Sequence, residues 1–390
     1  MFLVVFLLLG CLYAATASWT SATTDPITNA ITGWYMGNEG TLVLSQHAIM
    51  TDYVGTAGWV IDSPRGPVSQ YPPGAAAVAG ALYALSPGAL DTVFVGLPTE
   101  DTVIPILWPP LWPAVLSAVL VTAAAGATVA TTVARWSRSG LEAVLCGVLF
   151  GTATGAWSVA SNLPWTHGPG MLMIAVGTWA TSRHRWWIAG LAYGSAVLVR
   201  PHLAVVAAVV GIGLAVHLRE WRPVILIGAL SALGLAALLG YNYWLWSAVT
   251  MSGGYGGDFA DLLLGSGPVW YLRNVTLGLL SPVNGLIIWA PFLLVLVPAV
   301  WRSRRQIPGW ALMSALGGVA YLLVQWKANY YPGGDAFFAY RYPLEALTAA
   351  APALWFGWDQ WVRGHRTREK ALFLTLALAI TGQAVGALLS

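Results

Sequence analysis

The sequence has 390 residues, of which 57% are hydrophobic and 8% are charged, with a formal net charge of +3. Soluble domains carry about 25% charged residues, so this composition excludes an ordinary soluble protein and predicts an integral membrane protein. Nothing in the charge balance indicates a nucleic-acid partner. The two cysteines, Cys11 and Cys146, both lie in apolar runs and predict neither a disulfide framework nor a thiolate metal site.

The chain begins with the apolar run MFLVVFLLLGCLYAATASW. This run has the short apolar core and the small-residue end of a secretory signal, but it lacks the basic residues that usually precede such a core. The pattern therefore favours a retained first membrane span, with a cleaved signal as the alternative.

Residues 19–107 follow as a first large outer segment. Its stretch TTDPITNAITGWYMGNEG predicts a short amphipathic helix. In SQYPPGAAAVAGALYAL, the apolar run after Pro-Pro-Gly is too short to cross a bilayer core of about 30 Å. Both helices are expected at the membrane interface, where Trp and Tyr rings are favoured.

A membrane span needs about 20 apolar residues, and this criterion predicts an all-α membrane protein with eleven transmembrane helices in a single domain, residues 1–390. The fifth and sixth segments are short and separated only by Arg200 and Pro201, which predicts a broken or re-entrant pair. A second large outer loop is predicted at residues 247–283. The predicted spans are 2–18, 108–134, 143–160, 169–182, 186–199, 202–218, 223–246, 284–301, 310–326, 344–362 and 371–389.

Five clusters of basic residues fall on one side of this eleven-span arrangement. Cytoplasmic loops are enriched in Lys and Arg, so the clusters predict a cytoplasmic N-terminus and outer loops that face away from the cytoplasm. We therefore expect a protein of the plasma membrane whose site is extracytoplasmic. The clusters are Arg135 and Arg138; Arg183 and Arg185; Arg219 and Arg222; Arg302, Arg304 and Arg305; and Arg363, Arg366, Arg368 and Lys370.

Asp25 is the first acidic residue of the outer segments. A carboxylate close to the bilayer can take the proton of an acceptor hydroxyl as that oxygen attacks an activated sugar carbon, which makes Asp25 a candidate general base. Alternatively, Asp25 caps a helix that begins at Pro26.

Three further candidates for substrate binding come from the outer turns. His167, in NLPWTHGPG, contacts substrate or is simply a hydrogen-bonded interfacial residue, and nothing near it has metal-ligand spacing. Arg200, in VLVRPH, presents a planar fork suited to phosphate oxygens, or extends from a helix end to the lipid headgroups. Tyr71, in SQYPPG, is the third candidate for substrate binding.

The loop NYYPGGDAFFAYRYP, residues 329–343, is bracketed by Lys327 and Arg341. Two cations around a Gly-Gly turn can form an anion cradle, because glycines let backbone N–H groups approach a phosphate. Anchoring to anionic headgroups is the alternative. Asp335 is a further substrate-binding candidate, although Asp335 and Glu345 could instead neutralise the two cations.

Six stretches, in this order, resemble membrane glycosyltransferases of the GT-C class, and most closely the bacterial dolichyl-phosphate-mannose-protein mannosyltransferase-like group. The resemblance implies a multi-span helical enzyme with an extracytoplasmic active site that uses a polyprenyl-phosphate-linked sugar. It implies a catalytic acid at Asp25 and lipid-phosphate contacts at Arg200, Lys327 and Arg341. The stretches are TTDPITNAITGWYMGNEGTL, GPVSQYPPGAAAVAGALYAL, PWTHGPGMLM, GSAVLVRPH, GLLSPVNGLIIWAP and GGDAFFAYRYPLEAL.

The chain departs from that group in two places. Many members have paired acids after the first span, whereas this chain has Asp25 followed by Pro26, and an aromatic block occupies DAFFAY near the last motif. The expected reaction is an inverting transfer to a glycan, lipid or protein acceptor. It requires no cofactor, and no metal is indicated, although the acids of the first outer segment leave a divalent metal open. The alternatives are a transporter or lipid flippase, and a catalytically inactive partner with the same fold.

Overall fold

The computed structural model describes residues 1–20, 23–54, 60–86, 88–96, 103–251, 253–255, 263, 265–333 and 338–389. The described chain is mostly helical, as the composition predicts. Its α-helices are α1 Phe2–Thr16, α2 Thr24–Trp34, α3 Ile49–Val54, α4 Gly74–Leu85, α5 Trp112–Val133, α6 Gly140–Thr152, α7 His167–Ser182, α8 Trp186–Val199, α9 Ala204–Leu218, α10 Arg222–Trp246, α11 Pro268–Leu280, α12 Leu286–Trp289, α13 Leu293–Ser303, α14 Gly309–Ala328, α15 Leu344–Gly357 and α16 Arg366–Leu389.

Five helical segments in the described residues are long and apolar enough to cross a membrane: α5, Pro201–Leu218, α10, α14 and α16. The shorter apolar helices α1, α4, α6, α8 and α13 have between 10 and 17 residues. A membrane protein with several spans is therefore supported, whereas eleven spans are not confirmed. The predicted span 284–301 is interrupted between α12 and α13 at Pro291, which has no N–H to continue a helix.

The first outer segment contains the two predicted helices, α2 and α4, but it also contains two β-hairpins, so the all-α prediction was wrong in this segment. β1 Val60–Ser63 pairs antiparallel with β2 Gly66–Ser69, and β3 Asp91–Gly96 pairs antiparallel with β4 Val103–Trp108. Their β-branched and aromatic residues favour strands, and a search for apolar runs of span length does not detect strands this short.

Within the first outer segment, His47 connects the region after α2 to β4. It ends a short 3₁₀ turn, Ser45–His47, and is buried. Its Nε2–H donates to the carbonyl of Leu107 (2.6 Å), and the Tyr35 hydroxyl donates to its Nδ1 (3.3 Å). Both bonds fit the neutral imidazole.

Acidification is expected to loosen this contact. Burial lowers the pKa of His47 below its ordinary value of about 6.5, although the Leu107 hydrogen bond acts in the opposite direction. The unfolded segment then binds a proton more readily than the folded one, so stability is lost as the pH falls from 6.5 through the lowered pKa. The protection factors of residues 35–47, which are their exchange rates corrected for the intrinsic pH dependence of amide exchange, should be lower at pH 5 than at pH 7.5. His47→Gln should abolish this loss of protection, and equal protection factors at the two pH values in the unsubstituted protein would contradict the assignment.

Small residues set the distance between α8 and α10. Gly190 and Gly194 of α8 face α10, and a Cβ at Gly234 would lie 2.6 Å from the Cα of Gly194. Glycines at such crossings let two helix backbones approach closely in a membrane.

Gly234→Ala is expected to destabilise the protein by about 1–3 kcal/mol, because the added methyl group overpacks the crossing. Gly228→Ala in the same helix is the matched control, since a Cβ there has nothing within 4 Å. The control should be neutral or gain up to about 1 kcal/mol from better helix propensity. Unfolding by sodium dodecyl sulfate in mixed micelles measures both. Equal stability of the two variants would show that α8 and α10 can move apart to accommodate the methyl group without a loss of stability.

The two ends of the helical bundle carry different polar groups. At one end, which we call the basic end, Arg363 pairs with Glu142 (2.9 Å) and Asp359 (3.1 Å), and Arg138 lies 3.7 Å from Asp359. Glu345 lies 14 residues before Asp359, about 21 Å along the helical segment. Glu345 therefore lies at the opposite end of the bundle. Helices α7 and α15 begin at that end, next to the first outer segment.

Candidate functional site

A cavity of about 250 Å³ lies at the end of the bundle opposite the basic end. The first outer segment, the start of α7, the break between α8 and α9, and the loop after α14 all contribute to its wall. The lining residues are Asp25, Gln70, Tyr71, Pro72, Thr166, His167, Val199, Arg200, Pro201, His202, Met251, Ala328, Asn329, Arg341 and Tyr342.

Asp25 lies in the first turn of α2, with one carboxylate oxygen held on each side. The Tyr71 hydroxyl donates to Oδ1 (2.6 Å), and Nη1 of Arg341 donates to Oδ2 (2.8 Å). The N-cap of α2 is Thr23, so the capping interpretation of Asp25 was wrong. The Asn29 side chain fixes α2 above the start of α7 by donating to the carbonyl of Pro164 (2.9 Å).

Arg341 joins Asp25 to the loop that follows α14. Its Nη2 donates to the carbonyl of Gly333, and its guanidinium lies 4.5 Å from the ring centroid of Trp165. Gly333 has a φ of +75°, and a Cβ there would lie 2.6 Å from the ring of Tyr342. A glycine is therefore required where the carbonyl turns towards Arg341.

A second group of polar side chains reaches the cavity wall through His167 and Arg200 and extends behind it. Nη1 of Arg200 donates to Nε2 of His167 (3.0 Å), and Nη2 donates to Oε1 of Gln325 (2.9 Å). Nδ1 of His167 lies 3.0 Å from Oε1 of Glu345. The hydroxyl of Tyr321 donates to Oε2 of Glu345 (3.1 Å). We call Arg200, His167, Glu345, Gln325 and Tyr321 the buried network.

The tautomer of His167 with its proton on Nδ1 pairs with both charged neighbours. Nδ1–H donates to Glu345, and the lone pair of Nε2 accepts an N–H of Arg200. The approach of Arg200 Nη1 to Nδ1 (2.8 Å) brings two donors together in this tautomer, so it is a contact and not a hydrogen bond. Glu345 is 0% exposed, His167 1% and Arg200 9%. Ionised groups this deeply buried are tolerated only when they are paired and hydrogen-bonded, and the Arg200–Glu345 separation of 3.6 Å provides the pairing.

Five of the seven predicted site residues meet at this cavity: Asp25, Tyr71, His167, Arg200 and Arg341. Lys327 does not line it. Its Nζ donates to Oγ of Ser266 (2.8 Å) and lies 5.7 Å from the ring centroid of Tyr271. Residues two apart on a helix point in nearly opposite directions, so Gln325, which faces Arg200, turns Lys327 away. Asp335 lies outside the described residues.

The sequence analysis did not predict that Glu345, Gln325 and Tyr321 pack behind this wall against Arg200 and His167. It predicts for Glu345 only a charge that neutralises Lys327 and Arg341. A usable signal was present, because Gln325 and Glu345 are polar residues within otherwise apolar helical runs, and such residues in membrane helices usually mark functional or buried polar sites.

Within the described residues, no group of three or more His, Cys, Asp and Glu side chains is arranged to hold a metal ion. The cavity instead combines two arginines with two carboxylates, one at its mouth and one behind its wall. Such an arrangement can hold an anion beside a proton acceptor. No known protein family and no curated protein matches this sequence.

Proposed function

We propose that this protein is a membrane glycosyltransferase that moves a sugar from a polyprenyl-phosphate carrier to an extracytoplasmic acceptor. The observation that carries the proposal is the meeting of Asp25 with Arg341 and Arg200 at one cavity. The resemblance of six ordered sequence stretches to GT-C glycosyltransferases supports it as well. The acceptor is a glycan, a lipid or a protein, and nucleic acid has no part in the reaction.

In the proposed reaction, an acceptor hydroxyl attacks the anomeric carbon of the donor sugar. The bond from that carbon to the phosphate oxygen breaks, and the polyprenyl phosphate leaves with the bonding electrons. Asp25 takes the hydroxyl proton. A single displacement of this kind inverts the anomeric configuration. A carboxylate has about four lone-pair sites, so the bonds from Tyr71 and Arg341 leave Asp25 able to accept a proton.

The two arginines are proposed to stabilise the charge that develops on the leaving phosphate. Arg341 and Arg200 line the same cavity as Asp25. His167 and Glu345 hold Arg200 in position from behind, and Tyr71 orients Asp25. The scheme requires no metal.

The proposal includes the membrane arrangement of the chain. It has eleven membrane crossings, the N-terminus in the cytoplasm of a plasma membrane, and the cavity on the outer side. The support is the distribution of charge, because basic loops are retained in the cytoplasm and the basic clusters alternate along the chain with the segments that line the cavity.

Arg341→Lys is expected to raise the KM for the lipid donor by at least about tenfold, because lysine keeps the charge but loses the planar fork and its charge-assisted hydrogen bonds. Initial rates at varied donor concentration measure the change. Arg65→Lys is the matched control, since Arg65 is an exposed residue of the first outer segment that does not line the cavity. A KM equal to that of the control would remove Arg341 from donor binding.

A transporter of anionic lipids or solutes is the second candidate. It is favoured by the buried network beside the helix break at Arg200, because charged groups at broken helices are typical of transport sites. However, His167 and Glu345 lie at the start of α7 and α15, at the end of the bundle that carries the first outer segment, and they contact Arg200 there, whereas transport sites lie near the bilayer midplane.

The experiment that separates the candidates uses the purified chain in proteoliposomes with a panel of polyprenyl-phosphate sugars. A glycosyltransferase consumes one of these donors and releases polyprenyl phosphate. Movement of the intact donor or solute across the bilayer, without cleavage, would replace the enzymatic proposal with the transporter.

A further inference from the structure

A second concave site lies on the opposite face of α15 from the buried network. It is a groove of about 230 Å³ between α6, α13, α15 and α16. Its walls are apolar except for Glu142 near one end and Thr154 near the other, and the Thr154 hydroxyl is satisfied by the carbonyl of Phe150 (2.8 Å). The groove therefore offers little to a polar ligand.

The length of the groove matches one leaflet of a bilayer. Glu142 and Thr154 are 12 residues apart, which corresponds to about 18 Å along a helical path. Half of a hydrocarbon core is about 15 Å thick. The groove begins at the basic end and finishes near the middle of the bundle, as expected for a site entered from the leaflet at the basic end.

The charge at the open end favours an anion. The two segments that border it, residues 134–142 and 359–370, contain six basic and three acidic residues, a net charge of +3. Arg363 engages two of the acids, Glu142 and Asp359. The side chain of Arg138 remains 69% exposed, and Arg366 and Lys370 are exposed at the start of α16.

We propose that this groove binds one acyl chain of an anionic phospholipid, whose phosphate contacts Arg138 and the neighbouring cations. The lipid belongs to the leaflet at the basic end. It is distinct from the glycosyl donor of the proposed function, because residues Leu347 and Ala351 line the groove while Glu345 faces the other side of α15. The lipid proposal does not depend on the proposed glycosyltransferase activity, and either can be correct without the other.

Native mass spectrometry of the full chain, delipidated in detergent, tests this proposal with dioleoyl phosphatidylglycerol and dioleoyl phosphatidylcholine. The chains of the two lipids are identical, so a difference between them reports the headgroup. Phosphatidylglycerol should bind about fivefold more tightly, the effect of roughly one cation at a membrane surface. Arg138→Gln should remove most of this preference. Arg222→Gln, an exposed arginine of another basic loop, should retain it.

Two substitutions test the groove itself. Ala351→Phe fills it from α15, and Leu145→Trp covers it from a rim position that is 48% exposed, where a larger side chain is compatible with folding. Both should lose the phosphatidylglycerol adduct, whereas Ala236→Phe, on an exposed face of α10, should keep it. Monodisperse elution shows that each variant is folded, and Leu145→Trp decides the matter if Ala351→Phe aggregates.

Equal binding of the two lipids by the unsubstituted protein would overturn the proposal. So would an undiminished phosphatidylglycerol adduct in a folded groove variant. Neither result depends on a glycosyltransferase assay.

Discussion

Asp25→Asn is expected to lower the rate of sugar transfer by about 10²–10⁴-fold, because an amide cannot accept the proton that a general base removes. Asparagine has nearly the same shape as aspartate, and its carbonyl oxygen can still accept a hydrogen bond from Tyr71 or Arg341. The variant should therefore fold normally. Single-turnover measurement of donor consumption, with enzyme in excess of the donor and above the Kd of their complex, separates this effect on chemistry from weaker donor binding.

Asp62→Asn is the matched control for this substitution. Asp62 is an exposed residue of β1, in the same outer segment, and it does not line the cavity. Its variant should transfer sugar at the unsubstituted rate. A normal rate for Asp25→Asn as well would mean that Asp25 is not the base, even if the protein proves to be a glycosyltransferase.

Glu345→Gln is expected to reduce the free energy of unfolding by about 3–5 kcal/mol, because it leaves the guanidinium of Arg200 buried without its counter-charge. The carboxylate is fully buried, and its partners His167 and Tyr321 cannot supply a negative charge as neutral groups. Unfolding by sodium dodecyl sulfate in mixed micelles measures the loss.

The double variant Arg200→Met with Glu345→Gln isolates the ionic part of that effect. Removing both charges should cost less than the sum of the two single losses, since neither partner is left as an uncompensated ion. Glu39→Gln, at an exposed position, should change stability by less than about 0.5 kcal/mol. If the losses at Arg200 and Glu345 were strictly additive, the two side chains would not be coupled.

The positions of most helices were predictable because hydropathy is a local property of the chain. The predicted spans 186–199, 202–218 and 223–246 agree closely with α8, α9 and α10, and the predicted break at Arg200 is confirmed. Shorter signals were less reliable. The hairpins of the first outer segment were missed because their strands have only four to six residues each.

The residues of the candidate site were also predictable only in part. Asp25, His167, Arg200 and Arg341 were found because each is an ionisable residue at the edge of an apolar run, where its type alone makes it notable. Lys327 met the same criterion and lies outside the cavity. The sequence shows that Lys327 and Gln325 are two residues apart on one helix. It does not show which of the two faces the bundle.

The sequence by itself determined that this is a helical membrane protein with acids and arginines concentrated beside a few apolar segments. Only the tertiary structure decided which of them meet. Asp25 and Arg341 are 316 residues apart, and His167 and Glu345 are 178 apart. Contacts over such separations depend on how whole helices pack and rotate against one another, and that packing is set by the summed burial of many side chains rather than by any local pattern.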